Sequence, residues 1–169
     1  ERAEREALQM ARDFWDRRMQ MQPALISVEA AIADAKKRKG PVIFTDAADA
    51  PSSGAPGDSN ALLAALIEHG YKGQALIPIV DAPAVQKAIE AGIGNRVTVN
   101  LGGTLDPRFT PIRLDATVDM LTQGRYISES WGNRQNAGLT AVFKSDNFTV
   151  IAVSRSVSIV DRSVFLAHG

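Results

Sequence analysis

The chain has 169 residues, enough for one domain that buries roughly 70% of its unfolded surface. Nineteen Lys and Arg balance nineteen Asp and Glu, which argues against nucleic acid or an anionic membrane as the main partner, since both need a basic footprint. The absence of cysteine excludes disulfides and thiolate metal sites and fits a cytoplasmic location, and no apolar run approaches the ~20 residues of a membrane span.

Residues 3–21 put Leu8, Ala11, Trp15 and Met19 on one stripe, with Ala7, Met10 and Phe14 beside it. That is the period of an amphipathic helix, and Pro23 ends it. The segment is charged and helical, unlike a signal peptide, and it starts without Met, so the chain reads as a piece of something longer. A second helix starts at the N-cap Ser27, buries Val28, Ala31, Ile32 and Ala35, and stops at Gly40-Pro41. The basic run Lys36 to Lys39 then neutralises the dipole at its end.

VIFT (42–45) is short, apolar and rich in β-formers, and predicts a buried strand. A loop of Asp, Gly, Pro and Ser follows, then a helix over 59–69 whose ALLAALI is apolar nearly all round and predicts deep packing. ALIPIV (75–80) is a second strand, with Pro78 pointing to an edge or a bulge. Asp81 caps a third helix with Pro83 in its first turn, ending at Gly92, and RVTVNL (96–101) is a third strand. Strand, helix, strand, helix, strand predicts a parallel βαβαβ unit.

Beyond it, Ile112, Leu114, Ala116, Val118 and Met120 alternate with Arg113, Asp115, Thr117, Asp119 and Leu121, the period of a half-buried strand. LTAVFK, the turn SDN and FTVIAVS make a hairpin over 139–154. Residues 130–138 are a polar loop, SVSIV (156–160) is another strand, and Asp161 caps a terminal turn. The fold class is α/β: a mixed sheet whose N-terminal βαβαβ unit is followed by antiparallel strands, with helices packed on it.

The loop after VIFT carries the chemistry. Asp46, Asp49 and Asp58 sit in a stretch, 41–71, that has no Lys or Arg. One reading is structural: Asp58 or Ser59 caps the next helix, Asp46 and Asp49 make Asx turns, and Gly54 and Gly57 supply unusual backbone angles. The other is functional: unpaired carboxylates after a strand must meet solvent, backbone donors, a distant Arg or a cation. Arg155 is a candidate partner for one of them. Only His69 and His168 are available, neither with a partner at ligand spacing, so no local zinc site is expected. A phosphate-loop reading fails because GDSN replaces the Gly-Lys-Ser/Thr ending. The pair Gly102-Gly103 permits a close backbone approach, to a ligand or within a turn.

GPVIFTDAADAPSSGAPGDSNALLAAL, GGTLDPRFTPI and GLTAVF…FTVIAVSRSVSIVD, in that order across nearly the whole chain, resemble the C-terminal domain of the MlrC-like (microcystinase C) zinc metallopeptidases. Asp46, Asp49, Pro51, Gly54, Pro56, Gly57 and Asp58 hold the places of the family's Asp-x-x-Asp-Asn-Pro, glycine and Pro-Gly-Asp motif. Ala50 stands where Asn is usual, and Ser52 and Ser53 replace glycines.

The resemblance implies a two-domain hydrolase of peptide or amide bonds in which metal-bound water attacks the carbonyl. Its zinc is held by a preceding domain absent here. On this basis residues 1–22 are a linker helix from that domain, and residues 23–169 are the C-terminal domain, truncated at its end. The isolated chain then binds no cofactor, carries no catalytic or metal-ligating residue, and is inactive. Asp46, Asp49, Ser53, Gly54, Gly57, Asp58, Ser59 and Arg155 are the candidates to face the cleft. The expected partners are the missing domain and a peptide or amide substrate, with neither nucleic acid nor membrane; a homo-oligomer stays open. Two alternatives remain: a non-catalytic assembly module whose first helix, with Phe14 and Trp15, packs on another subunit or domain, and an anion-binding domain.

Overall fold

The computed structural model describes residues 1–159 and 161–168. Helix α1 (Arg2–Arg17) has no buried residue, while α2 (Val28–Ala35) is capped by Ser27 Oγ, which accepts the Ala30 amide, and buries Ile32. Helix α3 (Ala61–Glu68) buries Leu63 and Leu66 but leaves Ile67 at the surface, so its packing is one-sided rather than all-round. Asp81 Oδ1 accepts the Ala84 amide at 2.9 Å and starts α4 (Ala82–Ala91), which ends at Gly92 as its sequence predicts.

A five-stranded mixed sheet has the order β1 (Ala75–Val80), β7 (Phe148–Val153), β6 (Thr140–Ser145), β3 (Ile112–Thr122), β2 (Arg96–Leu101). Strands β6 and β7 form the hairpin read from the sequence, and their near-continuous apolar runs place them at the centre, covered on both faces. Pro78, which has no N–H, sits on the edge strand β1. Helices α3 and α4, with Ile32, pack one face through Val99, Val118, Phe143 and Val150. The other face carries Val142, Ile151, Val153 and Val157, under a two-stranded sheet of β4 (Arg125–Ile127) and β5 (Arg134–Asn136) and a terminal helix α5 (Ser163–His168).

The mixed α/β class holds, but several expected details do not. VIFT forms no strand: Ile43 is 88% exposed, and only Phe44 packs partly on the core. An apolar run becomes a strand only where an edge receives it, and at Val80 the β1 amide is already taken by the Gly57 carbonyl. The parallel βαβαβ unit is also absent. Only β1 and β7 pair in parallel, and β2 runs opposite to β1 at the far edge because β7, β6 and β3 lie between them.

A register shift between Val118 and Met120 breaks the alternation of β3. Leu121 therefore joins the cluster of Val118, and Met120 turns to the other face. Finally, residues 156–159 form no strand, Val160 lies outside the described residues, and the polar loop over 130–138 contains β5.

Candidate functional site: an aspartate clasp

The loop carboxylates are held by backbone amides. Asp46 Oδ1 accepts the amides of Ala48 (2.8 Å) and Asp49 (3.2 Å), the expected local turn, and is exposed. Asp49 instead reaches across the loop: Oδ1 accepts Gly57 N at 2.8 Å and Oδ2 accepts Ser59 N at 2.7 Å. Gly57, at φ +82°, brings its carbonyl to Val80 N at 2.8 Å. A Cβ there would sit 2.7 Å from Val80 Cγ2 and 2.9 Å from Pro51 Cγ, so the approach requires glycine.

From the same stretch, bonds run to the end of β2. Fully buried Asp58 places Oδ2 on the amides of Leu105 (2.6 Å) and Asp106 (2.9 Å), and its carbonyl accepts Gly103 N at 3.1 Å. Asn60 Nδ2 donates to the carbonyls of Leu101 and Thr110, each at 2.8 Å. Asp81 Oδ2 accepts Gly102 N at 2.9 Å. Residues 57–60 therefore tie the edge strand β1 to the end of the opposite edge strand β2. The close approach permitted by Gly102-Gly103 is made to Asp58 and Asn60 of the chain itself.

Asp58 and Asp81 are both buried, and among the described residues neither has an ion-pair partner. Burial pushes the Asp81 carboxyl above its ordinary range; the amides of Ala84 and Gly102 oppose this, and the Asp58 charge adds to it. Asp58 Oδ1 is buried with no hydrogen-bond partner among the described residues. At the rim, hydrogen bonds from Arg108 hold Asp106 below its ordinary range, and Asp106 in turn raises Arg108, with a further contribution from the Asp49 charge. A second hub lies on the other face. Asp161 accepts Ser128 Oγ (2.7 Å), Ser130 N and Ser163 N (both 2.9 Å), and the serine hydrogen bonds hold its carboxyl far below the usual range.

Of the residues singled out in the sequence, the fold brings Asp49, Gly57, Asp58 and Ser59 together. Ser53 and Gly54 lie exposed, Ser53 closing the 3-10 turn Pro51–Ser53 and Gly54 following at φ +90°. Neither Asp58 nor Ser59 occupies the α3 cap; Asn60 does, without a side-chain cap bond, while Ser59 Oγ accepts Ala61 N at 3.3 Å. Arg155 forms no ion pair with a loop Asp; its stem lies against Gly138, and it is Ser156 Oγ that touches the loop, at the Pro56 carbonyl. Sequence reasoning missed Asn60 and the second role of Asp81. The paired glycines 102–103 were the signal that some backbone comes close there.

Among the described residues no group of three or more His, Asp or Glu is placed to hold a metal. His69 ends α3, with its carbonyl accepting Lys36 Nζ, and His168 is buried with Nδ1 on the Val164 carbonyl. The donor set of these residues does not fit a zinc ion.

The fold is similar to a crystal structure described as a "Putative metallopeptidase" from Mesorhizobium sp. BNC1, with a TM-score of 0.83 and 28% identity over 92% of this chain and 32% of that one. Microcystinase C from Sphingomonas sp is 40% identical over 63 residues, 37% of this chain and 12% of that protein. The chain thus matches about a third of the one relative and about an eighth of the other. Residues 44–169, from the loop to the last residue, match the family described as MlrC C-terminus, and the chain belongs to that family.

Proposed function

We infer that the chain is the part of a zinc-dependent peptide or amide hydrolase that bears no metal, with the zinc and the groups that attack the carbonyl lying in polypeptide outside these 169 residues. The observation that carries this reading is the pairing of family membership, beside a relative described as a metallopeptidase, with described residues among which no group of three or more His, Asp or Glu is placed to hold a metal. Within such an enzyme the clasp is a rigid wall. Asp49, Asp58 and Asp81 hold the 57–60 and 102–106 segments in place, and Asp46, Ser53, Gly54 and Arg108, which buried Asp106 anchors, are the exposed groups that can meet substrate or the metal-bearing part. Preorganised backbone of this kind orients a substrate without moving during reaction.

The test is hydrolysis of a linear peptide, with zinc added, by the 169-residue chain alone and by the same chain put in place of the matching third of the Mesorhizobium protein. Turnover by the chimera alone is expected. Turnover by the isolated chain contradicts the reading. The rival reading as an assembly module is favoured by one observation, that α1 has no buried residue.

A further inference from the structure

Helix α1 has sixteen residues, none of them buried, yet Leu8, Met10, Phe14 and Trp15 lie on one half of its circumference; Met19 follows in the turn beyond its end, and all five are 52–72% exposed. An isolated helix of this length is marginal in water. These side chains leave on the order of 600 Å² of apolar surface in solvent, as much as the largest patch on a typical monomer. Trp15 is covered in part by its own neighbour: the Arg18 guanidinium lies 4.2 Å from the ring centroid.

The order of residues on that face says what covers it. Ala11 lies near the middle of the stripe, and a small residue lets two helices approach closely. An antiparallel copy centred there sets residue i against residue 22 − i. Ala7 then faces Trp15, Leu8 faces Phe14, and Glu4 faces Arg18, each pair occurring twice about the two-fold axis. In these three pairs small meets large, apolar meets apolar and acid meets base, while the same relation sets Met10 opposite Arg12 at the margin of the face. We propose that α1 is a self-association surface on which two copies of this chain pair antiparallel about Ala11, with Trp15 seated over Ala7 and Glu4 paired to Arg18 of the other copy. Its apolar area, on the order of 600 Å² per copy, lies at the small end of specific interfaces, so the association is weak, on the order of micromolar.

Sedimentation equilibrium of the purified chain from about 1 to 100 µM tests this, a range set around that micromolar association. A monomer–dimer equilibrium is expected, and Trp15→Glu should hold the chain monomeric with its thermal unfolding unchanged, since α1 adds nothing to the core. Glu4→Arg and Arg18→Glu should each weaken self-association roughly 5- to 20-fold, and mixing the two at 1:1 should restore it, because both contacts then join opposite charges. A wild-type chain that stays monomeric throughout, a dimer indifferent to Trp15→Glu, or a mixture no tighter than its components overturns the proposal. The first of these results would leave α1 to pack on a different polypeptide.

Discussion

Replacing Asp49 by Ala removes the one side chain that bonds the loop to itself across its mouth. Two amides, Gly57 N at 2.8 Å and Ser59 N at 2.7 Å, lose a carboxylate acceptor. Hydrogen bonds to a charged group contribute about 1.5–3 kcal/mol each, but the site is half-buried and water replaces part of the loss. A net cost of about 2–4 kcal/mol follows, which for a domain of this size lowers Tm by roughly 5–15 °C. The loss should extend beyond the loop, because Gly57 and Asp58 carry the bonds to Val80, Gly103, Leu105 and Asp106. Hydrogen exchange at Val80, Leu105 and Asp106 should therefore accelerate together. Asp49→Asn, which keeps one acceptor oxygen, should fall between wild type and Ala. Calorimetry and amide exchange decide the matter: an Asp49→Ala chain that melts within a degree of wild type, with those amides still protected, refutes the clasp.

Three further outcomes follow from the same geometry. Asp81 has a raised folded pKa, so its ionisation costs the folded state stability as pH climbs from the ordinary carboxylate value through the raised one. Asp81→Asn keeps an acceptor for the α4 cap and should remove that loss, flattening a plot of Tm against pH above about 4; a slope there equal to wild type would contradict it. Gly103→Ala should destabilise severely, because its φ is +66° and an added Cβ would overlap the Phe109 carbonyl oxygen, whereas Gly132→Ala, with open space around it, carries only the cost of its positive φ; melting curves compare the two. Asp161, whose folded pKa is depressed, stabilises above the ordinary carboxylate range and loses that contribution only as pH falls through its folded value. Asp161→Ala should expose residues 128–136 to proteolysis at neutral pH while leaving the central strands protected.

Local signals were legible in the sequence, and contacts between distant segments were not. Ser27 and Asp81 announce their helices because a cap is written within four residues, and the hairpin over β6 and β7 is set by its turn and its apolar runs. VIFT reads as a strand because its residue types suit one; that the β1 amide at Val80 goes to the Gly57 carbonyl instead is a contact between segments that residue types do not show. The pairing of β1 with β7 rather than β2 rests on strands some seventy residues later, which a strand–helix–strand pattern does not show. The three loop aspartates were visible as residues without cationic neighbours, yet their amide partners at 57, 59, 105 and 106 are a matter of folding. The β3 bulge, which sends Met120 and Leu121 to opposite faces, leaves no trace in the alternation itself.

A polypeptide that shapes a hydrolytic site without supplying its metal binds no zinc by itself. Isothermal titration of the purified chain with zinc, backed by metal analysis after dialysis, measures this. No stoichiometric zinc is expected, and no heat beyond that of dilution. One zinc per chain, bound tightly and lost on substitution of Asp58 or Asp81 in a chain that stays folded, would contradict it.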